Sequence, residues 1–333
     1  MTPLPTLSIV VVNRNAAPKL KTSLDLISRQ DYPKELVEVL IVDAGSTDDS
    51  SNLAEKYGYN FFIGGYPDNQ EARRCVGIRR AKNDIIVSID ADNYLPDVGW
   101  LRSMVLPFVE DADIFASQTL YYSHRKADSV LNRYFSLFGV NDPVAFYLNK
   151  ADRMPHYCTD WALLGKGEDK GSYFKVTFKD ELPTVGCNGF LVRRSVINEV
   201  LGDPEDFFHT DVIFDLVQKG HRSIAFVKNG MIHDTSDSLR HLIRKRVAYF
   251  TEHSVKLKGR RRYQVFDSRS WKDRLNLVKF VLYTVTGVKP LFDAMRGYLK
   301  EPDAAWFLHP VVCYCFLIAY GWSVILTGVR NRS

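Results

Sequence analysis

Asn83-Asp84-Ile85-Ile86-Val87-Ser88-Ile89-Asp90-Ala91-Asp92-Asn93 decides how this chain is read. Residues 85–89 are mostly β-branched, do not alternate strictly and are bounded by polar residues. That pattern describes a strand buried on both faces, as in a parallel sheet. Asp90 and Asp92 then fall at the strand's carboxyl end, where open α/β sheets place their ligands. Residues i and i+2 of an extended chain share a face, so both carboxylates point at one spot. Two like charges that close require a cation between them or a shared proton. A hard divalent ion bridging to a phosphate suits such a pair. The competing reading is a polar loop after a strand, since D-x-D recurs by chance.

The pattern extends outward from this stretch. Residues 7–12 form an apolar run suited to a buried first strand, followed by Asn13, Arg14 and Asn15. Leu20, Leu24 and Ile27 are spaced as on a helix that ends at Tyr32-Pro33. Residues 37–42 make a second β run, and Asp43-Ala44-Gly45-Ser46-Thr47-Asp48 follows at once. Thr47 or Asp48 is the expected N-cap of a helix running to Tyr57. Residues 61–63 give a short third strand. Residues 71–81 give a helix carrying Arg73, Arg74, Arg79 and Arg80. Strand and helix thus alternate through the first quarter of the chain, which argues for an α/β fold with a mostly parallel central sheet. Right-handed crossovers bring Asn13, Asp43 and Asp90 to one edge.

Four motifs carry a resemblance: Ser8-Ile9-Val10-Val11-Val12-Asn13-Arg14-Asn15, Val39-Leu40-Ile41-Val42-Asp43-Ala44-Gly45-Ser46-Thr47-Asp48, Ala72-Arg73-Arg74-Cys75-Val76-Gly77 and Asp90-Ala91-Asp92-Asn93. In this order and spacing they resemble family 2 of the inverting glycosyltransferases, which have the GT-A (nucleotide-diphospho-sugar transferase) fold. The resemblance runs over residues 6–250. It implies a catalytic domain over 1–250, with a nucleotide-binding half (1–100) and an acceptor-side half (101–250), then a helical region over 251–333. By the same resemblance Asp43 contacts the nucleobase with Asn13 nearby, Arg74 fixes the nucleotide, Asp90 faces the ribose and Asp92 holds Mg²⁺ or Mn²⁺. Arg73 competes with Arg74 for that role. A helix-capping turn at Asp43 and a solvated helix face at Arg74 are the structural alternatives. Val12-Asn13, Ala44 and Cys75 depart from the family's usual residues, and all three lie around the nucleotide.

Beyond the paired carboxylates, residues 104–110 suggest a helix and 114–120 a strand. Residues 121–180 are weakly periodic, polar and aromatic. Such long irregular segments are usually functional or mobile, and in the family resembled an insertion here often forms part of the acceptor pocket. Residues 166–171 read equally well as a surface loop. Residues 184–194 read as a turn, a strand and a helix start. A helix follows over 212–219, and an acid at its start suits the dipole. The resemblance makes Asp211 the catalytic base, with Asp206 second and a plain helix cap as the alternative. Residues 224–227 form a further strand. His233 follows, either as a structural histidine or as a third metal ligand of the kind some GT-A enzymes add.

From residue 240 to 262 the charge turns basic, with Arg240, Arg244, Lys245, Arg246, Lys256, Lys258, Arg260, Arg261 and Arg262 against Glu252. A solvated face, a donor or acceptor phosphate and an anionic membrane surface all suit such a run. Nucleic acid is a weaker third reading, because no binding module accompanies the charge, and no nucleic-acid partner is expected. Residues 275–299 read as one or two amphipathic helices broken at Gly287-Val288-Lys289-Pro290. Residues 304–329 contain no Asp, Glu, Lys or Arg. That is long enough to span a bilayer, which takes about 20 apolar residues. Trp306 and Trp322 suit an interfacial belt, and Arg330 and Arg332 suit an anchor. A helix buried in a homo-oligomer would give much the same string.

Composition sets the frame. The 333 residues suggest one large domain or two, and 46% hydrophobic content is ample for a core. Five cysteines without a C-x-x-C pair make a poor disulfide framework and suggest a reducing compartment. The first residues lack the pattern of a secretory signal. With the resemblance and the apolar C-terminal segment, the chain is expected to be a membrane-associated enzyme on the cytoplasmic face. It would move one sugar from a UDP- or GDP-sugar to a glycan hydroxyl or a polyprenyl-linked phosphate in envelope synthesis. A nucleotidyltransferase, a non-catalytic sugar-binding relative and a membrane scaffold are the alternatives. The first would carry a Gly-rich phosphate loop, which residues 10–18 do not contain.

Overall fold

The computed structural model describes residues 3–235, 238–251 and 260–330, with side chains to residue 325. Glu252, Lys256, Lys258 and Arg332 of the sequence reading lie outside the described residues. The first strand, β1 (Leu7–Asn13), is buried along its whole length. Helix α1 (Ala17–Ser28) starts on Pro18 and buries Leu20, Leu24 and Ile27. Then come β2 (Val37–Asp43), α2 (Ser50–Lys56), β3 (Asn60–Ile63), α3 (Gln70–Arg80) and β4 (Ile85–Asp90). These four strands are parallel in the order β3-β2-β1-β4. The register pairs Asn13 with Asp43 and Val12 with Asp90, so the three strand ends share one edge. Helix α3 lies directly on the sheet at Gly77, where a Cβ would meet Val10 Cγ1 at 2.4 Å.

The sheet continues with mixed direction. Strand β5 (Asn93–Tyr94) is followed by α4 (Trp100–Glu110) and β6 (Ile114–Tyr122). The weakly periodic stretch then holds α5 (Val130–Phe138), α6 (Pro143–Tyr147) and a hairpin of β7 (Lys166–Asp169) and β8 (Tyr173–Thr177). Residues 166–171 are thus not a bare loop. Strand β9 (Phe190–Arg193), α7 (Arg194–Ile197), α8 (His209–Gln218) and β10 (Ser223–His233) complete the order β3-β2-β1-β4-β9-β6-β10-β8-β7, with β5 on β10. Strand β10 is far longer than expected. A register shift between Val227 and Gly230 lets it run on to His233. A Cβ at Gly230 would lie 2.3 Å from Ser123 Oγ, so glycine permits that passage.

The chain forms two compact units, Met1–Ser123 with Gly165–Asp234, and His124–Leu164 with Thr235–Ser333. The boundary is not at residue 250. Helices α5 and α6 belong with the C-terminal helices α9 (Leu239–Phe250), α10 (Trp271–Thr286), α11 (Val288–Lys300) and α12 (His309–Arg330). Their shared core joins Tyr134, Phe135 and Phe138 to Leu242, Trp306 and Phe316. The chain breaks at Gly287, which is left-handed (φ 70°), and α10 and α11 meet at 82°. Ala304–Ile325 is long and apolar enough to cross a membrane, yet little of it is buried.

Candidate active site

The edge where β1 and β2 end is closed by hydrogen bonds. Asp43 is fully buried. Its Oδ1 accepts from the Gly45 and Ser46 N–H groups at 2.7 and 2.6 Å. Its Oδ2 accepts from the Ser46 hydroxyl and Asn13 Nδ2, both at 2.7 Å. Asn13 Nδ2 also donates to Ser50 Oγ at 2.9 Å. The carboxylate therefore organises the turn after β2, and Gly45 takes the left-handed φ of 88° that the turn needs. Asn13 Oδ1 is buried without a hydrogen-bond partner. Asn15 Oδ1 accepts from the Thr47 N–H at 2.9 Å and braces the two loops.

Helix α3 separates its two central arginines. Arg74 is buried; its Nη1 donates to Ser88 Oγ at 2.6 Å and its Nη2 to Asp90 Oδ1 at 2.7 Å. Burial works against the guanidinium charge, but Asp90 and Glu71 outweigh it and raise the Arg74 pKa. Arg73 turns instead to the carbonyls of Tyr66 and Pro67, at 2.6 and 3.0 Å. Arg74 is thus the arginine brought to the carboxylates, and it is no solvated residue.

Asn93 locks the Asp-Ala-Asp turn. Its Oδ1 accepts from the Asp90 N–H at 3.0 Å, and its Nδ2 donates to Asp92 Oδ1 at 3.2 Å. The β5–β10 pairing sets His233 opposite Asn93. His233 Nε2 thereby comes to 3.9 Å from Asp92 Oδ1. That carboxylate and imidazole are donor types that would suit Mg²⁺ or Mn²⁺. Among the described residues no group of three or more His, Cys, Asp or Glu is placed to hold a metal. An ion on Asp92 and His233 would thus take its other ligands from diphosphate oxygens and water.

Asp211 stands in the first turn of α8 and is 1% exposed. Asp206 sits exposed in the short turn Pro204–Asp206. The start of α8 is tied to α3, because Glu71 Oε2 accepts from the His209 N–H and from His209 Nδ1, both at 3.0 Å. The structure therefore gathers Asn13 with Asp43, Arg74 with Asp90 and Asp92 with His233. Asp211 stands two residues after His209, which is bound by Glu71. Sequence reasoning missed Glu71, Ser88 and Asn93. Ser88 alone left a trace, as the polar interruption of an isoleucine-rich strand.

A parallel sheet edge that ends in an Asp-Ala-Asp turn, its first carboxylate held by an arginine, agrees with a GT-A transferase architecture. The chain belongs to the family described as "Glycosyl transferase family 2", which matches residues 8–201. It is 29% identical over 104 residues to glycosyltransferase AglE of Haloferax volcanii, covering 30% of this chain and 34% of AglE. It is 28% identical over 93 residues to the poly(ribitol-phosphate) beta-N-acetylglucosaminyltransferase TarS of Staphylococcus aureus, 26% of this chain and 16% of TarS. The matches thus span about a third or less of these relatives' own length. The fold is that of mannosyltransferase PcManGT from Pyrobaculum calidifontis, solved with GDP-Man and Mn²⁺. The TM-score is 0.51 at 14% identity, covering 96% of this chain and 88% of that one. Glucosyl-3-phosphoglycerate synthase of Mycobacterium tuberculosis gives a TM-score of 0.50 at 16% identity, over 79% and 82%.

Proposed function

We propose that this glycosyltransferase moves one sugar, with inversion and with the help of Mg²⁺ or Mn²⁺, from a nucleoside-diphosphate sugar to an acceptor at a membrane. One observation carries the reading: Asp90 held by Arg74 at 2.7 Å, one turn before the Asp92–His233 pair. Asn13 and the Asp43-organised turn shape the base pocket. Asp90 faces the ribose, and Arg74 fixes its direction. Asp92 and His233 would hold the ion, which would neutralise charge on the leaving nucleotide. Asp211 takes the proton of an acceptor hydroxyl as its oxygen attacks the anomeric carbon. An ionised lipid phosphate needs no base, and Asp211 would then orient it. GDP- and UDP-sugars are the first donors to try, GDP-Man being the donor with which PcManGT was solved alongside Mn²⁺. A thermal-shift panel of nucleotide sugars with and without Mn²⁺ tests the donor. A competent donor must raise Tm, because it binds only the folded state; no shift with any donor would sink the reading.

Membrane association, and with it a place on the cytoplasmic face in envelope synthesis, rests on the second unit. Helices α10, α11 and α12 expose apolar side chains such as Leu282, Val285, Phe292, Leu299, Ile318 and Trp322. Lys272, Arg274, Lys279, Arg296 and Lys300 lie exposed on α10 and α11. An apolar face with basic residues beside it suits an anionic bilayer. Vesicles of phosphatidylglycerol and phosphatidylcholine should sediment the protein, and more weakly as phosphatidylglycerol is withdrawn. Binding that ignores lipid charge, or none at all, would remove this part of the reading.

A further inference from the structure

Helix α3 fastens the segment that leads into α8. Glu71, Cys75 and Arg79 stand four residues apart and so share one helix face. Arg79 Nη2 donates to Gly202 O at 2.7 Å, and Cys75 Sγ lies 3.9 Å from the same oxygen. Glu71 closes the seam on His209 through two hydrogen bonds of 3.0 Å. Arg74, three residues after Glu71, holds Asp90, and its Nε is 3.7 Å from Glu71 Oε1. A continuous line therefore runs from the end of β4 through Arg74, Glu71 and His209 to the first turn of α8.

The N-cap residue of that first turn makes no side-chain cap hydrogen bond. Phe208 stands at the N-cap and has no side-chain oxygen to offer. The first N–H groups of a helix have no intrahelical acceptor. Glu71 supplies one from another helix, and its negative charge suits the positive end of the dipole. Asp211 brings a second carboxylate to the same turn. The His209 ring stands against Glu71 there and offsets the accumulated charge.

We infer that Glu71 is a positioning residue for sugar transfer: one carboxylate aims Arg74 at Asp90 and sets the first turn of α8, which carries Asp211. The inference rests on Asp90 facing the donor and Asp211 acting on the acceptor. The titration behaviour agrees. Burial by itself would raise the Glu71 pKa, but His209 and Arg74 hold it down to about 2. Burial by itself would lower that of His209, but Cys187 and Glu71 pull it up to about 10. His209 is faced by Glu71 of α3 and by Cys187 of the turn before β9, and it stays an imidazolium through the neutral range.

Glu71→Gln keeps the shape and removes the charge. Its kcat should fall about 30-fold, because small displacements of a reacting group are costly. Its donor KM should change much less, which marks an effect on the reacting geometry. Its kcat–pH profile should gain an ionisation below about pH 6.5, because His209 loses its carboxylate and burial then disfavours its cation. His209→Gln keeps the backbone N–H on Glu71 and should cost only about 5-fold in kcat. Glu71→Asp carries the same comparison where E71Q folds poorly: it should keep the wild-type pH profile without regaining kcat. Wild-type kcat and pH profile in E71Q, full kcat in E71D, or a larger loss in H209Q than in E71Q would each overturn the role of Glu71. Absence of sugar transfer by the wild-type enzyme overturns the functional reading instead, so the two failures are told apart.

Discussion

The two compact units use their apolar side chains in opposite ways. The sheet-bearing unit buries β1 completely and leaves large apolar residues outside only at scattered points such as Ile63, Val98 and Leu106. The helical unit buries a core around Trp306 and still shows apolar stripes outside, as at Leu275, Val278, Leu282 and Val285 of α10. Like the other unit, it also buries polar groups. His309 is 1% exposed, with Tyr134 Oη 2.8 Å from Nδ1 and Tyr147 Oη 3.0 Å from Nε2. Tyr147 gives its hydroxyl proton to Asp293 at 3.0 Å, so His309 Nε2 must donate to it and Nδ1 must accept from Tyr134. Buried polar groups persist when paired, whereas contiguous exposed apolar surface marks a partner. The contrast teaches that the two units spend their side chains differently: polar groups converge at a sheet edge in one, and the other leaves apolar side chains of its helices on the outside.

Breaking the first half of that contrast should have the largest effect. Asp92→Ala is expected to lower kcat/KM about 1,000-fold, some 4 kcal/mol of transition-state stabilisation. Vesicle binding should not change. Metal-dependent turnover near the wild-type rate would remove Asp92 from the metal site.

The helical unit breaks through its core. Trp306 is fully buried, lies over Gly297 and meets Phe138 edge-on at 4.8 Å between centroids. Trp306→Ala should cost about 3–5 kcal/mol in denaturant unfolding. An unchanged unfolding midpoint would show that the helices hold without this core.

The outer surface gives a smaller effect. Phe292→Ser with Trp322→Ser should weaken vesicle partitioning by about 3 kcal/mol in all. Ile63→Ser with Val98→Ser, on the other unit, should leave it unchanged. Equal losses from both pairs would erase the difference between the units.

The same contrast governs what was legible in the sequence. Strands β1, β2 and β4 were legible because a strand buried on both faces writes its burial into consecutive residues. The gathering of Asn13, Asp43 and Asp90 at one edge followed from that. The start of α8 was not legible, since Glu71 caps it from 138 residues away. The start of α2, expected at Thr47 or Asp48, falls one residue later: Asp49 stands at the N-cap, and Asp48 accepts from the Ala17 N–H and from the N–H and hydroxyl of Ser50. Helices α5 and α6 were hidden because their apolar partners, Trp306 and Phe316, come from the far end of the chain. Which unit a segment joins is a long-range fact, and weak local periodicity does not carry it.

The smallest expected effect lies where the helical unit turns from α11 into α12. Glu301 accepts from His156 Nδ1 at 2.8 Å and lies 2.9 Å from His124 Nδ1; His124 Nε2 lies 2.9 Å from Asp303. The hydrogen bond from His156 lowers the Glu301 pKa against the opposing effect of partial burial, and the nearness of His156 and His124 adds to it. A depressed carboxyl stabilises the fold above its ordinary pKa of 4.5, and that contribution is lost as pH falls below it. The side chain is 36% exposed, so screening leaves about 0.5 kcal/mol. Asp303 caps the next turn by accepting from the Ala305 N–H at 2.8 Å, which makes the amides of Ala305 and Trp306 reporters of this corner. Their hydrogen exchange, corrected for intrinsic rates, should speed up slightly between about pH 5 and 3.5 in the wild type and stay flat in Glu301→Gln. An equal acid response in both proteins would move the effect to Asp303 and leave Glu301 a surface acid.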